Sequence, residues 1–343
     1  MTIYKLSKMK NTQLFALSAL AFISSAAFAE TGVNIYGRGN VSLERQTVGS
    51  ATENVFVDNS SRIGVRATRD IAGGMTTGVT LEAGTNLTTG STNSTFFARE
   101  ATVSLGGSFG QVKLGRLAGS AAYFATADYV SNHNHDTGTS SDALWDAASA
   151  FQFDRAVAYT SPKFNNMVVE AQYGLKKGAD GNGITSTKVS PLSMAANYSM
   201  DALQLGLGYE RGANGDTTDT LNAVTARAYY TMGPLGFGGY VQKTSGTGVD
   251  RTAFRLSAMY TMGQNEFHVN FGHAGNRGSE AKSGADQFTL GYNFILDKQT
   301  KVYALYTKLD NQANAAYDLA RTFASTNAGQ SASSYGVGIR YNF

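Results

Sequence analysis

Four aspartates, Asp128, Asp136, Asp142 and Asp146, fall within residues 118–152, with Asp154 just beyond, and that stretch contains no lysine or arginine. Carboxylates gathered in one polar segment can act as general bases, hold cations, or oppose fixed positive charge across a passage. His133 and His135, with Asp136 adjacent, offer two imidazoles and a carboxylate to a divalent metal. An H-x-H pair in a polar loop lacks the helical framework that preorganises such ligands, so solvated or structural histidines are expected and no metal site is assigned. Ser131, His133 and Asp136 also supply the residue types of a nucleophile, a base and an orienting acid. Nothing nearby reads as an oxyanion donor, so no catalytic residue, enzymatic activity or cofactor is expected. His268 and His273 sit around one candidate strand without the parity of a pair. Setting a field is the chemistry left to the acids, and it needs a basic surface opposite them.

That surface must come from the elements around the loop. The last ten residues alternate, with Tyr335, Val337, Ile339, Tyr341 and Phe343 on one face of a strand and Ser334, Gly336, Gly338, Arg340 and Asn342 on the other. A strand of about 9 to 11 residues tilted by roughly 45° crosses the hydrocarbon core of a bilayer. The same two-faced spelling recurs. Leu203, Leu205, Leu207 and Tyr209 stand opposite Gln204, Gly206, Gly208 and Glu210, and Phe254, Leu256 and Tyr260 stand opposite Arg255, Ser257 and Thr261. A basic side chain at mid-depth in lipid costs about 2–4 kcal/mol, so the second face must meet water or paired charge. Tyr230, Tyr260, Tyr292 and Phe294, near strand ends, suggest interfacial girdles.

Period-2 segments between turn signals number sixteen: 33–46, 58–69, 74–87, 95–106, 110–117, 153–161, 166–175, 191–200, 202–211, 221–232, 235–244, 251–262, 265–273, 285–296, 299–309 and 333–343. So weak a signal is easily split or merged, which leaves fourteen or eighteen open. Short connectors such as 70–73, 107–109, 233–234 and 297–298 interleave with longer polar ones near 47–57, 88–94, 118–152, 176–190, 212–220, 245–250, 274–284 and 310–332. After residue 29 no apolar run is long enough for a membrane helix, and a membrane protein without such helices must close its sheet. The expected fold is all-β: a closed antiparallel transmembrane β-barrel with short periplasmic turns and longer external loops. A soluble sandwich could alternate identically with its faces reversed.

The N-terminus argues for export. Lys5, Lys8 and Lys10 precede the apolar run Leu14 to Ile23, and Ala27-Phe28-Ala29 forms an A-x-A cleavage site before Glu30. Residues 1–29 are read as a signal peptide and 30–343 as the barrel domain, with Met1 or Met9 as the start. Removing the leader takes three lysines and no acid from 28 basic and 25 acidic residues, so the formal net charge of +3 falls to zero. The basic balance is therefore confined to the leader, and no nucleic-acid partner is expected. Cysteine is absent, which rules out disulfides, thiolate metal sites and a cysteine nucleophile.

A barrel of about sixteen strands is too wide for side chains to fill, so a water channel is expected, narrowed by folding 118–152 into the lumen. Strand parity points Arg38, Arg62, Arg66, Arg227, Arg255 and Arg340 inward, and Lys113 shares the polar parity of its strand. Arg116 has apolar parity but stands where the long loop begins. The constriction is expected between Arg38, Arg62, Arg66, Lys113 and Arg116 on the basic side and Asp128, Asp136, Asp142 and Asp146 on the acidic side. Trp145 is read as a packing anchor of the folded loop. A rival is a solute-specific channel, or an adhesin-like barrel whose loops matter more than its lumen. The former needs a ladder of aromatic or basic residues along the pore, and none is evident in the sequence.

Asn34-Ile35-Tyr36-Gly37, the run Ser60 to Arg66, the run Ser104 to Arg116, Tyr159 to Phe164, and the closing Tyr341-Asn342-Phe343 together resemble the general diffusion porins of Gram-negative bacteria, of the neisserial and burkholderial type. The resemblance implies a homotrimer of sixteen-stranded barrels in outer-membrane lipid, with the third external loop folded into the pore. It implies passive diffusion of small hydrophilic solutes and ions, Arg62, Arg66 and Arg116 on the basic side, and Phe343 as the signal read by the outer-membrane assembly machinery. The long loop, with Tyr123, Phe124 and His133-Asn134-His135, departs from the family's pattern.

Overall fold

The computed structural model describes residues 32–130, 143–146, 152–175, 189–213 and 219–343. Asp136, Asp142, His133, His135, Ser131 and the leader lie outside them.

The first half of the wall is built from β1 (Gly32–Val48), β2 (Ala51–Asp58), β3 (Arg62–Ile71), β4 (Met75–Asn86), β6 (Glu100–Gly107), β7 (Gly110–Arg116), β8 (Ala156–Thr160) and β9 (Met167–Gly174), with β5 (Ser91–Thr92) a two-residue piece paired to β4. The second half comprises β10 (Leu192–Met200), β11 (Leu203–Ala213), β12 (Thr220–Met232), β13 (Leu235–Ser245), β14 (Arg251–Met262), β15 (Asn265–Ala274), β16 (Ala285–Ile295), β17 (Thr300–Asn311) and β18 (Ala332–Asn342). Both β2 and β3 pair with the same side of β1, so they are one wall strand broken at Asn59–Ser61, where Ser60 adopts φ 63°. Sixteen wall strands result, all antiparallel. Pairing of β18 with β1, from Arg38↔Asn342 to Val48↔Ala332, closes the barrel.

The wall is apolar outside and polar inside. Leu207, Leu256 and Leu290 are 55%, 58% and 48% exposed, whereas Gly206, Arg255 and Thr289 between them face inward and are buried. Tyr335, Val337, Ile339 and Tyr341 of β18, and Phe343 directly after it, are all exposed on the outer face. This sense, opposite to a sandwich, suits a strand whose outer solvent is hydrocarbon. Near the turn-side ends, Tyr230 packs with Phe237, Phe267 with Tyr292, and Tyr341 with Phe343 at centroid separations of 5.8, 5.3 and 5.8 Å.

One connector differs from expectation. Residues 47–57 form no polar loop; β1 runs to Val48 and β2 starts at Ala51, so only Gly49–Ser50 turn the chain. Gly49 has φ 58°, the conformation a two-residue hairpin demands, and this lets the ladder continue through polar residues.

The described part of the segment between β7 and β8 enters the lumen. It carries two short helices, α1 (Ala121–Ala125) and α2 (Ala127–Val130). Ser120 caps α1, its hydroxyl accepting from the Tyr123 amide, and lies between Ser193 of β10 and Glu210 of β11. α1 packs on β10 and β11, and α2 on β12 to β14. Gly206 and Gly208 make this approach possible, because a Cβ at Gly206 would stand 2.3 Å from the Ala125 carbonyl oxygen and one at Gly208 2.7 Å from the Ala122 Cβ.

Candidate functional site: a charged lumen

The inner loop is anchored by aromatic contacts. Trp145 meets Tyr123 of α1 and Tyr240 of β13 edge-on at 5.5 and 5.7 Å, so it packs the loop to the wall as expected. Tyr129 of α2 lies under the Arg227 guanidinium, 3.8 Å from its carbon, and against Tyr229. Burial pushes the Tyr129 phenol up, with Arg227 pulling the other way, so it stays a neutral hydroxyl. Arg227 points inward as expected, and its role here is to hold the loop.

Across the lumen, Lys301 of β17 is the register partner of Arg340 of β18. Arg340 pairs with Asn40, Arg38 two residues along β1 pairs with Asn342, and Arg38 is directly opposite Arg62 of β3. The four cations thus occupy four neighbouring strands as direct or diagonal neighbours, within reach of long side chains. Arg66 extends the group, its guanidinium 5.1 Å from the Tyr36 ring centroid. Arg99, in the loop before β6, enters it through Glu82: Arg99 Nε lies 2.5 Å and Arg62 Nε 3.8 Å from Glu82 Oε1, and Tyr36 hydrogen-bonds the same carboxyl. This short ladder spans four of the sixteen wall strands, less than the pore-long ladder a solute-specific channel needs.

The sequence showed no such ladder because parity fixes which face a residue takes, and only register fixes its neighbours. Lys301 and Arg99 were not among the expected site residues. The inward parity of Lys301, opposite Val302, was readable, but Arg99 fell within the expected strand 95–106 on the apolar parity of Ala101 and Val103, whereas β6 begins only at Glu100 and leaves Arg99 in the loop before it.

The other expected basic residues are bound locally. Lys113 Nζ lies 3.2 Å from Glu100 Oε1, and Arg116 ion-pairs with Asp154 and donates to the Ala98 carbonyl. Of the expected acids, Asp128 on α2 is buried within Coulombic reach of Arg62. Asp146 does not face the ladder: Arg251 of β14 lies 2.9 Å from its Oδ2, and Arg277, in the connector after β15, 3.7 Å from its Oδ1. His268 and His273 are also separate, His268 inside beside Glu266 and Asn293, His273 outside 2.7 Å from Asp286. No cluster of metal-ligating side chains occurs among the described residues.

A polar, charged lumen inside an apolar closed wall is the anatomy of a membrane pore, and comparison with known families decides the lineage. A family model described as Gram-negative porin matches residues 16–314. This chain belongs to the Gram-negative porin family. Outer membrane porin protein 32 of Delftia acidovorans is 25% identical over 355 residues, covering 96% of this chain and 99% of that one. Outer membrane protein U of Vibrio parahaemolyticus is 26% identical over 71% of this chain and 70% of its own. Among solved structures, an anion-selective porin from Comamonas acidovorans superimposes with a TM-score of 0.76 at 22% identity, covering 92% of this chain and all of that one. The protein is an outer-membrane porin of a Gram-negative bacterium, a β-barrel channel for diffusion.

Proposed function

We infer that this porin is an anion-preferring passive channel whose constriction lies between the ladder Lys301, Arg340, Arg38, Arg62 and the helix-bearing segment with Asp128. The observation that carries the reading is the direct pairing of Arg38 with Arg62, flanked by Arg340 and Lys301. Like charges set opposite one another weaken a sheet, and here their benefit is an excess of positive charge on this stretch of the inner wall, which Glu82 offsets only in part. A wall of cations raises the local concentration of anions and lowers that of cations within about one Debye length, roughly 8 Å at physiological salt. Within the resulting field Arg66, Lys113 and Arg116 contribute less, the last two being neutralised by their own partners.

The printed description of the Comamonas relative as anion-selective agrees in direction. Removal of residues 1–29 is inferred from the basic start, the apolar run and the Ala27-Phe28-Ala29 site, and trimer formation in outer-membrane lipid and reading of Phe343 by the assembly machinery from the family resemblance. Enzymatic activity is not part of the proposal, and neither is a cofactor or metal. Reversal potentials of the purified protein across a planar bilayer in a KCl gradient test it. Preference for chloride is expected; equal or cation-favouring permeability would refute it.

A further inference from the structure

The inner face of the barrel changes character at its external rim. Ala253, Ala274, Ala285, Leu309, Ala332 and Val48 occupy inward positions at the external ends of β14 to β18 and β1, where the preceding inward residues are polar. They lie on consecutive strands: Ala253 opposite Ala274, Ala274 opposite Ala285, Leu309 opposite Ala332, and Ala332 opposite Val48. Small apolar side chains in a row leave a shallow seat, and two separate loops fill it. Leu144, from the tail of the inner loop, is fully buried there, and Leu319, from the external segment 312–331, is 1% exposed. Tyr317 and Phe323 pack against the same cluster, and the Phe323 amide donates to Gln46 Oε1 at 2.9 Å.

One side chain joins the two loops. Arg251, 2% exposed, donates to the Leu144 carbonyl at 2.8 Å and to the Tyr317 hydroxyl, and its Nε is 2.9 Å from Asp146 Oδ2. The guanidinium thus donates one hydrogen bond to each loop from a fixed planar fork while its charge offsets the Asp146 carboxylate, a combination an ammonium does not reproduce. We propose that Arg251 is a positioning residue for charge selectivity: it locks the inner-loop tail and the last external loop into one plug on the alanine seat and keeps the Asp146 carboxylate out of the permeation path. The proposal rests on the anion-preferring reading above.

The chain has no cysteine, so Leu319→Cys supplies a single reporter thiol in the plug. Purified protein in liposomes is treated with a membrane-impermeant maleimide, with and without Arg251→Gln, and the same proteins are measured in a KCl gradient. With Arg251 present the thiol is expected to be protected. Arg251→Gln should speed labelling by about tenfold through local opening of the plug and lower the chloride-to-potassium permeability ratio by about twofold. Adding Asp146→Asn to Arg251→Gln should restore the ratio while labelling stays fast. Equal labelling in both backgrounds, an unmoved ratio, or a ratio that Asp146→Asn fails to restore would overturn the proposal. Should Arg251→Gln not assemble, Arg251→Lys makes the labelling comparison, and a protected thiol in it is likewise fatal. An unsubstituted channel without chloride preference would instead defeat the underlying reading.

Discussion

A Cβ on Gly206 of β11 would stand 2.3 Å from the carbonyl oxygen of Ala125 at the end of α1. The inner loop is seated by the absence of a side chain on the wall beneath it. Gly206→Val or Gly208→Val should cost about 1–3 kcal/mol in overpacking, which the loop relieves by lifting from the wall. Single-channel recording should then show a noisier channel of altered conductance with the barrel still assembled; records matching the parent would mean that the glycines do not seat the loop.

The ladder makes different claims about residues of the same charge. Arg38→Gln and Arg62→Gln should each lower the chloride-to-potassium ratio by about twofold or more, because each faces a like charge across the sheet. Arg116→Gln and Lys113→Gln should move it less, since Asp154 and Glu100 each balance one cation, whereas Arg62 shares Glu82 with Arg99. Equal effects from all four would contradict the ranking.

Glu82 is the acid shared by Arg62, Arg99 and Tyr36, and it is 8% exposed. Glu82→Gln leaves two guanidiniums beside each other without their counter-charge. Breaking such a buried pair destabilises by about 3–5 kcal/mol. Thermal unfolding of the purified barrel should fall to lower temperature while chloride preference rises, both measured on the same preparation.

Phe343 closes the chain on Gly37, whose amide donates to the Phe343 carbonyl at 2.9 Å and whose Cβ, if present, would meet the ring at 2.4 Å. Deleting Phe343 should reduce the assembled fraction, read by heat-modifiable migration on gels, before it changes conductance. Channels that do form should conduct like the parent.

Because the field is carried by groups facing water, ion preference should decline as salt rises. The Debye length shrinks to about 3 Å at 1 M. Reversal potentials at fixed gradient ratio and increasing mean concentration measure this decline.

Much of the wall was readable from alternation alone. The expected 251–262 coincides with β14, and the inward and outward sets of β11, β14, β16 and β18 match their exposures. Period 2 is a local property, so a single chain displays it. The neighbours of a lumenal residue are not local: Lys301 and Arg340 are joined only by the register of β17 with β18. Loop seating was equally opaque. Gly206 and Gly208 read as small inward residues, and nothing local tied them to Ala122 and Ala125 eighty residues earlier. The acids of the long loop looked equivalent, yet Asp128 lies towards Arg62 while Asp146 is held by Arg251 on the other wall.

The pairing of Arg38 with Arg62 also bears on the thermodynamics of the empty barrel. Mutual repulsion raises the free energy of the folded state, and an anion resident among these side chains relieves it. Linkage then makes the permeant a stabiliser: whatever binds the folded lumen and not the unfolded chain raises the melting temperature with its concentration. Polyvalent anions at low ionic strength should therefore protect this barrel against heat more than monovalent ones, so that the solute passing through also holds the wall together.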